Sequence, residues 1–288
     1  MEGRKKLLFP YVLLAPSILV IFFVLIVPLG YSVYCSLYKC NYMNFTDFVG
    51  LDNFIRVLSD KTYLAAFGRT FLFTAASLVI SLGFGVVFAL WIHKYKGITA
   101  YAIELLVLIP WVTSQVVGTI LWKWILNEDL GLLNYIIRVC GGSPLKLLSD
   151  PNIAQITLIL VMSWRTIGYA MVNILAGLKS IPNNVEEAAI VDGVSKFQML
   201  RYIRLPMIKT PLLISTIILT LSNINNLTVP LSLTGGGPGT ATRVIMIPIY
   251  RLGFENYQFG TSSALSILLM IVTVVLSIVY VKAAKYEV

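Results

Sequence analysis

The sequence predicts an all-α polytopic membrane protein, on three observations. The chain is more apolar than one water-facing core can hide, its apolar residues gather into long runs, and basic residues crowd the loops on one side of those runs. Of 288 residues, 58% are hydrophobic and 12% charged, and the mean hydropathy is +0.84. A soluble domain of this length has no way to bury that much apolar surface, so the solvent must be lipid.

Six runs are long enough to cross roughly 30 Å of hydrocarbon at about 1.5 Å per residue. They lie near Tyr11 to Tyr38, Phe67 to Ile92, Tyr101 to Trp122, Ile153 to Leu178, Thr210 to Leu233 and Thr261 to Val281. In lipid each segment must satisfy its own backbone amides and carbonyls, so every run is read as helix despite its many Val and Ile residues. The first is too long for a cleavable signal and is expected to stay as an anchor, bent where Pro16 and Pro28 remove amide donors. The segment after it, 39–66, holds Asp52 as the expected N-cap of a short amphipathic helix bearing Phe54, Ile55 and Leu58. A second outside segment, 123–152, is turn-rich at Asn127 to Gly131 and Gly141 to Pro144. The third, 234–260, opens on Thr234-Gly235-Gly236-Gly237-Pro238-Gly239, whose spacing does not fit a phosphate-binding loop and which no Walker lysine follows.

Basic residues near helix ends are retained on the cytoplasmic side. With the amino terminus inside, the inside segments hold twelve bases (Arg4, Lys5, Lys6, Lys94, Lys96, Lys179, Lys196, Arg201, Arg204, Lys209, Lys282 and Lys285) against five acids (Glu2, Glu186, Glu187, Asp192 and Glu287). The outside segments hold nine bases and seven acids. Both termini are therefore expected in the cytoplasm, in a multi-pass protein of the cell membrane. The net charge of +9 is spread over short loops rather than gathered on one surface, so no nucleic-acid partner is expected; the partner surface is membrane lipid. Cys35, Cys40 and Cys140 are odd in number and lack metal-ligand spacing, and His93 stands alone, so neither a disulfide framework nor a metal site is expected.

Between the fourth and fifth runs, Ile181-Pro182 breaks the chain. Asn184 with Glu187 three places on reads as a capping box for a helix to about Asp192, which Gly193 ends. Ser195 with Gln198 gives a second box, and Phe197, Leu200, Ile203 and Leu205 supply apolar positions before Pro206. Two short helices meeting at a glycine would project a knob.

The spacing Glu187-Ala188-Ala189, three residues, Gly193, nine residues, Ile203-Arg204-Leu205-Pro206 resembles the loop shared by permease subunits of bacterial ATP-binding-cassette importers. Val49 to Phe54, Trp164 to Pro182 and Ser222 to Pro238 narrow the resemblance to the carbohydrate importers and their maltose-permease-like subunit. The resemblance implies the transmembrane domain of a type I importer: one permease domain over 1–288, a conduction core at about 67–283, and cytoplasmic coupling helices in 182–205. It also implies a second permease subunit in a heterodimer, two cytosolic ATPase subunits that bind the ATP and Mg, and an extracytoplasmic binding protein. No catalytic residue and no cofactor is then expected on this chain.

By the same resemblance Glu187, Ala188, Ala189, Gly193, Leu205 and Pro206 lie at or near the ATPase contact, with Glu187 either capping its own helix or pairing with the partner. Asn223 and Asn226 resemble the sugar-contacting asparagines of the family, with Asn225 beside them; the alternative for each is an interhelical hydrogen bond. Tyr169 matches an aromatic residue of the maltose-permease path and Trp164 precedes it by five places, although both also suit helix packing. Trp111 and Gln115 match less closely. Arg165, the deep charge of the fourth run, must face a cavity or a hydrogen-bonding partner, whereas Glu104 lies near a run's end. Two rivals stand beside the sugar reading: the same scaffold importing glycerol phosphate or a peptide, and a self-contained secondary transporter, which the lack of a deep acid disfavours.

Overall fold

The computed structural model describes residues 13–42, 44–95 and 97–285. The terminal charges at 2, 4–6 and 287, and Lys96, lie outside the described residues. Two compact units form, 13–64 with 248–272, and 65–247 with 273–285.

The first unit begins with α1 (Leu13–Ser36), whose most apolar stretch is 0% buried within the chain. Pro28 has no amide to continue the helical ladder, and the preceding turn, Phe22–Ile26, widens to a π-type turn in which the Val27 amide reaches the Phe22 carbonyl. The sequence reading gave no strand, yet β1 (Tyr38–Asn41) and β2 (Asn44–Phe48) pair as an antiparallel hairpin. Rings of Tyr34, Tyr38, Phe45 and Phe48 pack against one another there, at centroid separations from 4.6 Å (Tyr34 to Tyr38) to 5.8 Å (Tyr38 to Phe45). In α2 (Asp52–Ser59) two expectations are corrected. The N-cap position is Leu51, and Asp52 instead opens the helix, where its carboxylate suits the positive end. The buried face is Asn53 and Val57, while Ile55 and Leu58 are exposed, because the Asn53 amide donates to the carbonyls of Ser36 (2.8 Å) and Tyr38 (3.0 Å) and turns that face inward.

The second unit is organised around α7 (Pro151–Lys179), following α3 (Lys61–Ile92), α4 (Ile98–Val112), α5 (Gln115–Ile125) and α6 (Leu132–Val139). Asp150 caps α7 by accepting the amides of Asn152 and Ile153, and Pro151 occupies the first helical position, where its missing donor is no loss. Of its most apolar stretch 61% is buried, against 28% for α3, so α7 is the central element. Small residues allow the approach: a Cβ on Gly168 would lie 2.6 Å from the Val107 carbonyl oxygen, and one on Gly85 2.7 Å from the Ala170 Cβ. One apolar cluster surrounds Met171, Ile174, Leu175 and Leu178; another surrounds Leu158, Ile159, Val161 and Met162. Between them along α7 sit Ser163 and Thr166, whose hydroxyls return to carbonyls four residues back, and Thr166 meets Ser81 of α3 at 2.6 Å.

Two of the six expected spans are interrupted. The run expected at Tyr101 to Trp122 breaks between α4 and α5 with a 94° bend. Pro110 withdraws an amide donor near the end of α4, and Thr113 turns to extended backbone. The run expected at Thr210 to Leu233 becomes α10 (Lys209–Ile224) and α11 (Thr228–Leu233), after α8 (Asn183–Val191) and α9 (Lys196–Met207). Here side chains replace the ladder: Asn225 donates to the Leu221 carbonyl, Asn226 accepts the Val229 amide, and Pro230 has no amide to give. Among the described residues, four helices are long and apolar enough to cross a membrane, or up to six when each bent pair counts as one span. Both α4 and α10 pack against α7, and α11 packs against α5. The last helix, α12 (Phe259–Lys285), completes the described chain.

Candidate functional site

The knob of residues 182–205 is built largely by local chemistry. At the end of α8, Gly193 takes a φ of +74°, its amide bonds the Ile190 carbonyl, and the Val194 amide reaches back to Ala189. That pair of bonds is a Schellman motif, and it satisfies carbonyls the helix end leaves open. The Ser195 and Gln198 box forms as expected, with Ser195 Oγ accepting the Gln198 amide and Gln198 Oε1 accepting the Ser195 amide. The other box does not form. Pro182 sits at the N-cap with no side-chain bond, so Asn184 falls inside the first turn and Glu187 is not the third residue of the helix.

Glu187 is exposed instead, and the carboxylate that organises the knob is Glu186. Arg204 of α9 donates to both of its oxygens, Nε to Oε1 and a terminal nitrogen to Oε2, each at 2.8 Å, with both side chains 21% exposed. Those hydrogen bonds hold the Glu186 carboxyl below the usual range. Arg204 belongs to the Ile203-Arg204-Leu205-Pro206 stretch, but its partner was hidden because sequence does not give the angle at which two short helices cross. Pro206 has the same effect on α9 as Pro28 on α1: residues Met199–Arg204 widen to a π-type turn, with the Leu205 amide bonded to the Leu200 carbonyl. Ala188, Gly193 and Pro206 are exposed, Leu205 packs on the cluster around Leu178, and Ala189 is buried inside the knob. Val191, Phe197 and Tyr202 are left as large exposed apolar groups, at 86%, 69% and 68%.

The break between α4 and α5 gathers the other expected residues. Arg165 donates to the carbonyls of Pro110 (3.2 Å) and Thr113 (2.8 Å), so a cation closes the negative end of the interrupted helix. Its guanidinium lies 5.6 Å above the Trp111 ring, and the Trp111 and Tyr169 rings lie 4.7 Å apart, tilted by 36°. Trp164 stands edge-on to Trp122 at 5.4 Å. A void of about 10 Å³, room for about one water, is lined by Pro110, Gln115, Trp164 and Arg165 among others, and the Gln115 amide nitrogen is buried without a partner among the described residues.

The three asparagines of the second break do three different things. Asn226 accepts the Val229 amide, Asn225 is exposed, and Asn223 is 1% exposed with neither side-chain atom hydrogen-bonded among the described residues. Elsewhere, Glu104 pairs with Lys179 at 3.4 Å. Arg69 and Arg243, close enough to feel one another's charge, each bury an Nε without a partner among the described residues.

A central helix is thus flanked by two interrupted neighbours, with a capped knob beyond its end. The chain belongs to the family of binding-protein-dependent transport system inner membrane components, whose model matches residues 81–285. It is 31% identical over 284 residues to the trehalose/maltose transport system permease protein of Thermococcus litoralis, covering 96% of this chain and 94% of that one. It is 28% identical over 271 residues to the sn-glycerol-3-phosphate transport system permease protein of Agrobacterium fabrum, covering 93% and 92%. Its fold is similar to that of a chain of a bacterial ABC transporter that imports the acidic polysaccharide alginate, with a TM-score of 0.87 at 22% identity over 99% of this chain and 98% of that chain. A more distant likeness, TM-score 0.56 at 15% identity over 82% of this chain and 98% of that chain, is to the MetNI methionine ABC transporter.

Proposed function

We propose that this chain forms half of the translocation path of an ATP-driven importer for a saccharide, delivered by an extracytoplasmic binding protein. The observation that supports this best is the α4/α5 break, where Trp111 and Tyr169 offer aromatic faces and Gln115 and Arg165 offer donors. Aromatic rings stack on the C–H faces of a sugar, and amides meet its hydroxyls. Asn223 adds a buried amide that a hydroxyl would satisfy at the second break. A second, related permease subunit supplies the other half, since the void at the α4/α5 break holds only about one water.

ATP and Mg act on two cytosolic ATPase subunits, and both termini of this chain and the knob lie on their side of the membrane. The exposed face of the knob, with Glu187, Ala188, Gly193, Val191 and Phe197, docks on an ATPase. Closure of the ATPases moves the knob, and rigid-body rocking of the helix bundles exposes the path first outside and then inside. Reconstitution tests this: the chain alone should give no uptake, and the assembly with ATPases, second permease and binding protein should give ATP-dependent uptake. Uptake by the chain alone would overturn the proposal.

A second reading, an anionic solute such as a glycerol phosphate, is favoured by Arg69 and Arg243, whose Nε atoms lack partners among the described residues. Ligand binding by the cognate binding protein separates the two. For an anionic solute, Arg243→Gln should raise KM; for a neutral sugar it should leave KM unchanged.

A further inference from the structure

Where α3 ends at Ile92, Trp91 and Tyr95 stand edge to face at 5.9 Å, 43% and 42% exposed. Such amphipathic rings settle at the boundary between hydrocarbon and headgroups, which places this end of α3 at a membrane surface. Beside them lies a groove of about 540 Å³, a volume typical of ligand sites. Its apolar walls come from Leu90 of α3, Ile190 of α8, Val194, and Met199 and Leu200 of α9. Its cations are Lys94, Lys196 and Arg204, and no acid lines it. Arg204 is already engaged by Glu186, but neither Lys94 nor Lys196 has an ion-pair partner among the described residues.

The groove thus joins an apolar trough to two uncommitted ammonium groups at interface depth. A small water-soluble anion would leave the trough uncovered, and a zwitterionic lipid would leave the excess positive charge unmatched. We propose that the groove binds an anionic phospholipid, its phosphodiester against Lys94 and Lys196 and an acyl chain along the apolar walls. Because α3, α8 and α9 all contribute walls, the bound lipid braces the knob against the bundle, and transport depends on the lipid composition of the leaflet. This rests on the reading of α3 as a membrane span and not on the identity of the solute.

The test uses the assembled importer in vesicles of phosphatidylcholine with and without phosphatidylglycerol, with retained lipid counted by native mass spectrometry. Both lysines are exposed, so Lys94→Gln and Lys196→Gln leave folding intact. Retention of phosphatidylglycerol should fall roughly fivefold per lysine removed and roughly twenty-five-fold for the pair, following the usual contribution of one basic residue at an anionic surface. The gain in coupled uptake on adding phosphatidylglycerol should vanish in the pair, whereas Lys146→Gln, far along the chain and paired with Glu128, should change neither. Equal retention by the pair and the parent would overturn the proposal. So would displacement by soluble glycerol phosphate, since the headgroup alone would then suffice. Lysine-labelling protection that requires the ATPase and not the lipid would overturn it too, assigning the groove to protein contact. None of these outcomes touches the importer reading, which fails only if uptake proceeds without the ATPases.

Discussion

Removing the Glu186 carboxylate should loosen the knob far more than removing the Glu187 carboxylate one residue on. Glu186 and Arg204 share two hydrogen bonds of 2.8 Å with each side chain only 21% exposed. Fully exposed ion pairs contribute about 0.2–1 kcal/mol, and hydrogen bonds to charged groups about 1.5–3 kcal/mol. At one-fifth exposure, solvent screening brings the coupling to about 1.5 kcal/mol, roughly tenfold in the local opening equilibrium. Amide hydrogen exchange across α8 in the assembled complex reads this directly. Glu186→Ala and Arg204→Ala should each speed exchange roughly tenfold and the double variant little more, whereas Glu187→Ala should change it by less than about twofold. Additive single effects would refute the pairing. The pH dependence has a definite sign: Arg204 depresses the folded pKa of Glu186, so the stabilisation is complete above the ordinary glutamate value of about 4.3 and is lost as pH falls through the lower folded value.

Asn223→Leu should leave thermal stability unchanged or raised, because a buried amide without a partner is replaced by an apolar group of similar size, while uptake falls; unaltered uptake would remove Asn223 from the path. Arg165→Met should destabilise the protein by about 2 kcal/mol, since the Pro110 and Thr113 carbonyls lose their donor, and thermal unfolding in detergent checks it. At Gly193 an added Cβ meets nothing within 4 Å, so Gly193→Ala should show only the left-handed backbone penalty of about 1–2 kcal/mol. Coupled uptake by Gly193→Trp, measured against ATPase rate, tests docking: full retention would count against it.

What sequence could reveal followed from how local each interaction is. Gly193 and the Ser195 and Gln198 box were legible because the bonds that need them span three to five residues. The 94° turn at Thr113 was not, because a stretch long enough to mark a span averages over the polar Thr113-Ser114-Gln115; Pro110 was the other available sign, and its effect depends on Arg165, which lies 55 residues away in sequence. The box of Asn184 with Glu187 rests on their spacing, and it does not form because the helix starts two residues earlier than that spacing requires, behind Pro182. The hairpin at 38–48 escaped because its alternation is short and its pairing is completed by the Tyr42 amide bonded to the Tyr257 carbonyl, a contact no local pattern encodes.

The continuity of α7 has a mechanical consequence. From Arg165 to Lys179 it runs without interruption for about 21 Å, and Ser180-Ile181-Pro182 joins its tip to the knob with no slack. A sideways push on the knob therefore arrives at Trp164, Arg165 and Tyr169 as torque on a lever arm. Interiors packed this tightly do not shear freely. Any swing of the arm therefore loads α3, α4 and α10, which pack against it.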